Sequence, residues 1–254
     1  MNSFIKVIGL LRRPYTLIAV ALIAIMLPVF LVTTNVRTVT NSGWLYTYGF
    51  DRYGVAEDTG IEPRALRGVA DEIKEYFRNE EELLAVRAVV FGQEKELFTE
   101  REILHMVDVK DLMGVVNVLQ RTSFYTMFGL TLSLFALAGR RNDLAALGRG
   151  LNYGAVLSFV ILVALGLGFL VGFEKVFTQF HHVSFANDLW LLNPHTDYLI
   201  MIFPEGFFRD ATLIIAGLTM GEAALTWVLG YGLRRKMSSP PVTENGKRGQ
   251  NGDS

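Results

Sequence analysis

The sequence predicts a mainly α-helical polytopic membrane protein, with four transmembrane helices and a small α/β extracytoplasmic cap. Two observations predict this class. Only 19% of the residues are charged, against roughly a quarter in an average soluble domain, and the charges collect between long apolar runs. A membrane-spanning helix requires about 20 mostly apolar residues. Four runs meet this requirement: 14–36, 122–139, 151–173 and 211–233.

The positions of lysine and arginine predict the orientation of these spans, because short cytoplasmic segments carry an excess of both residues. Three basic clusters fall on one side of a four-span arrangement: Lys6, Arg12 and Arg13; Arg140, Arg141 and Arg149; Arg234, Arg235 and Lys236. We therefore assign 1–13, the loop 140–150 and the tail 234–254 to the cytoplasm, and 37–121 and 174–210 to the outer side. The tail is rich in polar residues and is predicted to be disordered.

Several other classes of protein are disfavoured. A cleaved signal peptide has an apolar core of about 7–15 residues and a small-residue cleavage site, whereas the first run is longer and no Ala-x-Ala follows it. The sequence has no cysteine, which excludes disulfides, thiolate metal sites and a cysteine nucleophile. Its formal net charge of -1 and the lack of a basic patch disfavour nucleic acid as a partner.

The cap is predicted to contain both helices and strands. An aromatic run at 43–50 is typical of a membrane interface, and apolar residues at helical spacing predict an amphipathic helix over 63–78. A hairpin is predicted from 84–91 and 96–98. Thr99 and Glu102 form a capping-box pattern, which predicts a helix that continues towards the second span.

The outer segment 174–210 is richer in chemistry than a plain connector. It contains three of the four histidines, several aromatic residues and two prolines. The stretch 193–197 has the pattern of a turn, in which His195 is interpreted as a solvated loop residue. Asp197 is available to cap the segment that follows, and Glu205 is placed to cap the lead into the fourth span.

All four histidines lie in the predicted outer segments, and histidine titrates near neutral pH and serves as a general acid or base. His105 lies on the helix predicted after the capping box, with Asp108 one turn further on, where its carboxylate is placed to orient the imidazole. A surface histidine on an amphipathic helix is an equally good interpretation from spacing alone.

The adjacent histidines His181 and His182 point in different directions on any regular structure, so we expect at most one of them to face a site. Ser184 follows His181 at the next turn, which permits a serine–histidine pair for an acyl-enzyme route. The sequence lacks the Gly-x-Ser-x-Gly elbow of many hydrolases, which weighs against that route. It also lacks His-Glu-x-x-His and any spacing that would supply three or four metal ligands.

Glu222 interrupts the fourth apolar run. A carboxylate inside a span costs about 2.5 kcal/mol or more on insertion scales and usually faces protein or water. A proton path and a neutral group hydrogen-bonded within the bundle are both open interpretations. Gly217 and Gly221 lie nearby, and we expect them to support close helix packing at this point.

A larger pattern resembles the signature loop of the bacterial lipoprotein intramolecular transacylases, the Lit family. The matching residues are Phe180, His181, Phe185, Asn187, Asp188, Trp190, Asn193, Pro194, Asp197, Leu199, Ile200, Phe203, Pro204, Glu205, Phe207 and Phe208. Two further stretches, 48–61 and 100–110, are similar to other parts of that family. The resemblance covers 6–236.

The resemblance implies a specific reaction and site. Family members act on diacylglyceryl-modified lipoproteins in the membrane lipid, at the outer face of the bacterial cytoplasmic membrane. They move the sn-2 acyl chain to the α-amine of the N-terminal cysteine and leave a lyso-form lipoprotein. By motif the catalytic histidines are His105 and His181, and no cofactor or metal is implied. His182 is not expected to be fixed, and Ser184 replaces an expected bulky aromatic residue.

The residues themselves agree with such chemistry. Attack of an amine on an ester needs a base for the amine proton and a donor for the developing oxyanion. We expect His181 to be the base and His105 the donor, supported by Asp108. The residues expected to bind the substrate are Tyr48, Phe180, Phe185, Trp190, Asp197 and Glu205.

Two alternative functions remain at this point. The first is a non-enzymatic membrane transporter or assembly factor, which Glu222 supports. The second is a membrane acyl hydrolase that uses Ser184 and His181.

Overall fold

The computed structural model describes residues 2–137 and 141–238. Within them the chain is mainly helical and has one two-stranded sheet. The elements in chain order are α1 (Asn2–Thr40), α2 (Gly43–Arg52), α3 (Val55–Thr59), α4 (Pro63–Tyr76), β1 (Arg87–Val90), β2 (Gln93–Glu96), α5 (Glu100–Leu137), α6 (Arg141–Val171), α7 (Phe173–Ser184), α8 (Tyr198–Ile202) and α9 (Glu205–Ser238). The prediction of a mainly α-helical membrane protein with a small sheet is confirmed.

Three helical segments in the described part of the chain are long and apolar enough to cross a membrane: Arg13–Thr40, Leu144–Leu170 and Glu205–Lys236. They contain all or most of the first, third and fourth predicted spans. The predicted span 122–139 falls in the second half of α5 up to Leu137, and its last two residues lie outside the described part of the chain. Helix α5 is not among these three segments. A fourth crossing therefore stays a prediction.

Several helices extend beyond the apolar runs, because charged residues at a membrane surface do not stop a helix. Helix α6 begins at Arg141, inside the segment expected to be a loop, and α9 continues to Ser238, into the segment expected to be disordered. The rest of that tail, 239–254, lies outside the described residues. The outer segment 174–210 contains most of α7, all of α8 and the start of α9.

Helix α1 packs against α5, α6 and α9, and α6 packs along α9. Glycines allow these backbones to approach closely. A Cβ on Gly148 of α6 would lie 2.6 Å from the carbonyl oxygen of Gly230 of α9, and one on Gly154 would lie 2.8 Å from Leu27 of α1. Small residues in contact let membrane helices approach one another in this way.

The expectation of close packing at Gly217 and Gly221 is wrong, because a Cβ at either position would meet open space. Glu222 instead accepts a hydrogen bond of 2.7 Å from Nδ2 of Asn35 on α1. The same amide donates to the Thr219 hydroxyl at 3.1 Å. Glu222 is thus hydrogen-bonded within the bundle, which agrees with the second of the two interpretations, a hydrogen-bonded group rather than part of a proton path.

The cap packs helices α2–α4 and the hairpin around one apolar core, which also includes residues of α8 and the first turns of α9. The amphipathic helix is confirmed as α4. The hairpin is confirmed with a shorter turn than expected, since Val90 pairs with Gln93. Phe91 and Gly92 have φ of 48° and 82°, and positive φ at both central residues is typical of a type I′ hairpin turn.

Candidate active site

A buried carboxylate joins the two segments that carry the histidine pair. Glu102, which is fully buried, accepts hydrogen bonds of 2.7 Å from the backbone N–H and the hydroxyl of Thr99. These contacts are the predicted capping box. Its other oxygen accepts a hydrogen bond of 2.7 Å from the backbone N–H of Leu199 in α8. The cap of α5 therefore also fixes the segment that leads into α9.

His105 lies on α5 one turn after Glu102, so both side chains project from similar faces of the helix. Its side chain is 7% exposed, and its Nδ1 has no hydrogen-bond partner in the part of the chain that the structure describes. Asp108 does not bind that nitrogen, contrary to expectation. It accepts a hydrogen bond of 2.9 Å from Nδ2 of Asn187, so it positions the loop after α7.

His181 lies in the last turn of α7 and is also 7% exposed. Its Nδ1 lies 2.7 Å from the carbonyl oxygen of Phe177. Because a carbonyl can only accept, Nδ1 carries the hydrogen and donates it. In the neutral imidazole this leaves the lone pair on Nε2, which is the state that a general base requires.

The two imidazoles lie together, with ring centroids 6.1 Å apart. Phe185 contacts both rings, at 5.2 Å from His105 and 5.6 Å from His181. Trp190 lies 4.8 Å from His181, and Phe177 lies 4.4 Å from it. The result is a histidine pair in an aromatic enclosure that excludes most water.

The pKa of His105 is lowered from 6.5 to about 4, mainly by burial and also by the nearby His181, while Asp108 opposes the shift. Burial also lowers the pKa of His181, against the hydrogen bond to Phe177, which raises it. Both imidazoles are therefore neutral at pH 7, since removal from water disfavours the charged form.

This electrostatic environment predicts a pH-dependent stability. The unfolded protein binds more protons at His105 than the folded protein between pH 6.5 and about 4. The free energy of unfolding therefore has its full value above pH 6.5 and decreases as the pH falls from 6.5 to about 4. We expect the Tm of the wild type to fall more steeply there than the Tm of His105→Asn. The exposed His195→Asn should keep the wild-type slope, and equal slopes for wild type and His105→Asn would contradict the buried, neutral state.

Not all expected site residues lie in this enclosure. Phe180, Phe185 and Trp190 do, since each contacts His181. Tyr48 instead donates to Asp210 at 3.1 Å, in a cluster that also contains Tyr53, Arg52 and Arg209.

Asp197 accepts a hydrogen bond of 2.7 Å from the backbone N–H of Asn193, and makes no side-chain cap to α8. Glu205 is exposed in the first turn of α9. Asp197 thus stabilises the turn, and Glu205 lies at the helix start. A role in binding the substrate stays a prediction for both residues.

Sequence reasoning missed two functional features. The capping-box pattern identified Glu102, but not its bond to Leu199, because the two residues lie 97 positions apart. Phe177 precedes His181 by four residues, and this i, i+4 spacing on a helix was the available signal for their contact.

These features define a multi-pass membrane protein with a buried histidine pair beside its cap. The chain belongs to the lipoprotein intramolecular transacylase Lit family, whose model matches residues 21–208. Its fold is similar to that of the membrane-integral Lit from Bacillus cereus, with a TM-score of 0.73 at 21% identity over 90% of this chain and 98% of that one. A histidine-to-alanine variant of the same protein aligns with a TM-score of 0.69 at 20% identity over 93% and 98% of the two chains.

A relative from Aquifex aeolicus, described as an uncharacterized protein, is 32% identical over 129 residues. The alignment spans 49% of this chain and 52% of that relative, about half of each. The family membership thus rests on the match to the family model, and the structural likeness supports the fold.

Proposed function

We propose that this protein is a lipoprotein intramolecular transacylase, which moves the sn-2 acyl chain of a diacylglyceryl-cysteine lipoprotein to the α-amine of that cysteine. The observation that carries the proposal is the His105–His181 pair, buried together in an aromatic enclosure. Membership of the Lit family supports the same reaction. The proposed location is the extracytoplasmic face of the bacterial cytoplasmic membrane, on the side opposite the three basic clusters.

In the proposed reaction the α-amine attacks the ester carbonyl carbon, and a C–N bond forms. His181 takes the amine proton on Nε2, whose lone pair follows from the Nδ1–H bond to Phe177. A neutral His105 donates an N–H to the developing oxyanion. When the tetrahedral intermediate collapses, the bond from the carbonyl carbon to the sn-2 oxygen breaks, and that oxygen takes the proton from His181. No external acceptor or cofactor is consumed.

Proximity supplies much of the acceleration in this proposal. The amine and the ester belong to one substrate molecule, and well-oriented intramolecular reactions can reach effective molarities of about 10⁵–10⁸ M. The acyl chains remain in the bilayer beside the spans. Rigid aromatic side chains such as Phe185 and Trp190 then hold the two groups within reach of the histidines.

Mass spectrometry of a lipoprotein N-terminal peptide tests the proposal. The protein is expressed in a bacterium whose lipoproteins carry diacylglyceryl-cysteine. We expect the peptide to change to N-acyl, monoacylglyceryl cysteine with no change in total acyl content. An unchanged peptide alongside correctly inserted protein would contradict the proposal.

The alternatives have less support. Glu222, the best argument for a transporter, is bound to Asn35 within the bundle. For a hydrolase, Ser184 would have to donate its hydroxyl to Nε2 of His181, and among the described residues no hydrogen bond joins these two side chains.

Ser184→Ala separates the hydrolase from the transacylase. We expect this variant to keep N-acylation within about threefold of wild type, because only an acyl-enzyme route requires the hydroxyl. The measurement is the same peptide analysis. Loss of product in a stably folded Ser184→Ala would favour the serine route, as would release of free fatty acid by the wild type.

A further inference from the structure

The indole nitrogen of Trp190 is buried without a partner. Its Nε1 is shielded from solvent and has no hydrogen-bond partner within residues 2–137 and 141–238. An indole N–H can only donate, and leaving a buried donor unpaired costs about 1–3 kcal/mol. The large majority of buried side-chain polar groups are paired. A phenylalanine or leucine would fill this position without that cost, so the N–H requires an explanation.

Trp190 is held firmly against the proposed base. Its ring centroid lies 4.8 Å from that of His181, at an interplanar angle of 31°, and 5.0 Å from that of His182, at an interplanar angle of 89°. The indole therefore contacts the imidazoles of both His181 and His182 at the end of α7.

The loop that carries Trp190 is attached to α5 at two points. Asn187 donates to Asp108 at 2.9 Å, and Arg101 donates to the carbonyl of Asp188. The same helix carries His105. The indole N–H is thus fixed relative to both histidines by side chains rather than by a flexible loop, which is the condition for a preorganised donor.

The proposed reaction needs more than one donor at the oxyanion. A neutral imidazole has a single N–H, so His105 supplies one hydrogen bond, whereas oxyanion holes commonly use two. We propose that Trp190 Nε1–H is the second donor of the oxyanion hole, with His105 as the first; this inference rests on the proposed transacylase function.

The step balances without any further reactant. The amine nitrogen forms a bond to the carbonyl carbon, and the π electrons of the carbonyl move to its oxygen. The N–H groups of Trp190 and His105 stabilise that oxyanion and keep their protons. The carbonyl re-forms as the sn-2 oxygen leaves, and this oxygen takes its proton from His181. The N–H of Trp190, unlike the face of its ring, acts only while negative charge is present, so this donor raises kcat and leaves ground-state binding nearly unchanged.

Two substitutions separate the N–H from the bulk of the ring. Trp190→Phe keeps an aromatic ring without the donor. Replacement of Trp190 by 3-benzothienylalanine keeps the bicyclic shape and puts sulfur in place of N–H. Trp227→Phe on α9, which stacks on Tyr231, is the matched control and should keep wild-type kinetics.

Steady-state kinetics with a diacylglyceryl peptide in detergent provides the test. We expect both Trp190 variants to lower kcat about 10²–10³-fold, as for loss of one oxyanion donor, with KM within about twofold of wild type. Full activity of the benzothienyl variant would overturn the donor role, even if Trp190→Phe were inactive through loss of bulk. A wild-type protein that forms no N-acyl product would instead remove the proposed function itself.

Discussion

Replacement of His181 by alanine is expected to lower kcat for N-acylation by about 10²–10⁴-fold, the usual contribution of a general base. The imidazole is the group with a free Nε2 lone pair, because its Nδ1 hydrogen is committed to the carbonyl of Phe177. Its low pKa keeps that lone pair available at neutral pH. Initial rates of formation of N-acyl peptide, measured with purified protein, provide the value.

The matched control is His195→Ala, which removes an exposed imidazole from the same outer segment. We expect this variant to retain wild-type rates. If His181→Ala remained as active as His195→Ala, His181 would not be the base, and the proton would have to leave the amine by another route.

The second large effect is expected for Glu102→Ala. This change removes the acceptor for the N–H groups of Thr99 and Leu199, at about 1–3 kcal/mol for each buried group left unpaired. It also separates the start of α5 from α8. We therefore expect a marked fall in Tm together with a large loss of activity, measured by thermal unfolding in detergent and by the peptide assay.

Glu100→Ala is the control for this prediction, because Glu100 is exposed in the same first turn of α5. It should change Tm little. Glu102→Gln keeps the side-chain shape and one carbonyl acceptor, so we expect an intermediate Tm. A Glu102→Ala protein as stable as Glu100→Ala would show that this carboxylate does not join the two segments.

The local elements of the cap could be predicted because their signals are local. The capping box of Thr99 and Glu102 is a pattern over four positions, and the apolar spacing of α4 is visible within a single helix. The hairpin turn was misplaced because Phe91 adopts a positive φ, which is uncommon for a bulky residue.

The contacts between distant segments could not be predicted in the same way. Asp108 lies one turn from His105 in sequence, yet its hydrogen bond is to Asn187. In the spans, residues are apolar around most of the helix, so hydrophobic pattern does not reveal which face meets a neighbour. The expectation of close packing at Gly217 and Gly221 failed for that reason, whereas Gly230 of the same helix does lie against α6.

In the sequence, only the resemblance to the Lit family links His105 with His181. Spacing alone left a surface residue and a functional residue as equally good interpretations of His105, and left Ser184 open as a partner of His181. The structure brings the two imidazoles to 6.1 Å and accounts for Glu222 within the bundle.

A crossover experiment with purified protein tests the central claim most directly. Two diacylglyceryl peptides of different sequence are mixed, and only one of them carries an isotopically labelled sn-2 acyl chain. We predict that the label moves from the sn-2 oxygen to the α-amine of its own peptide and does not reach the other. Label on the second peptide, or label released as free fatty acid, would contradict an intramolecular transfer by this protein.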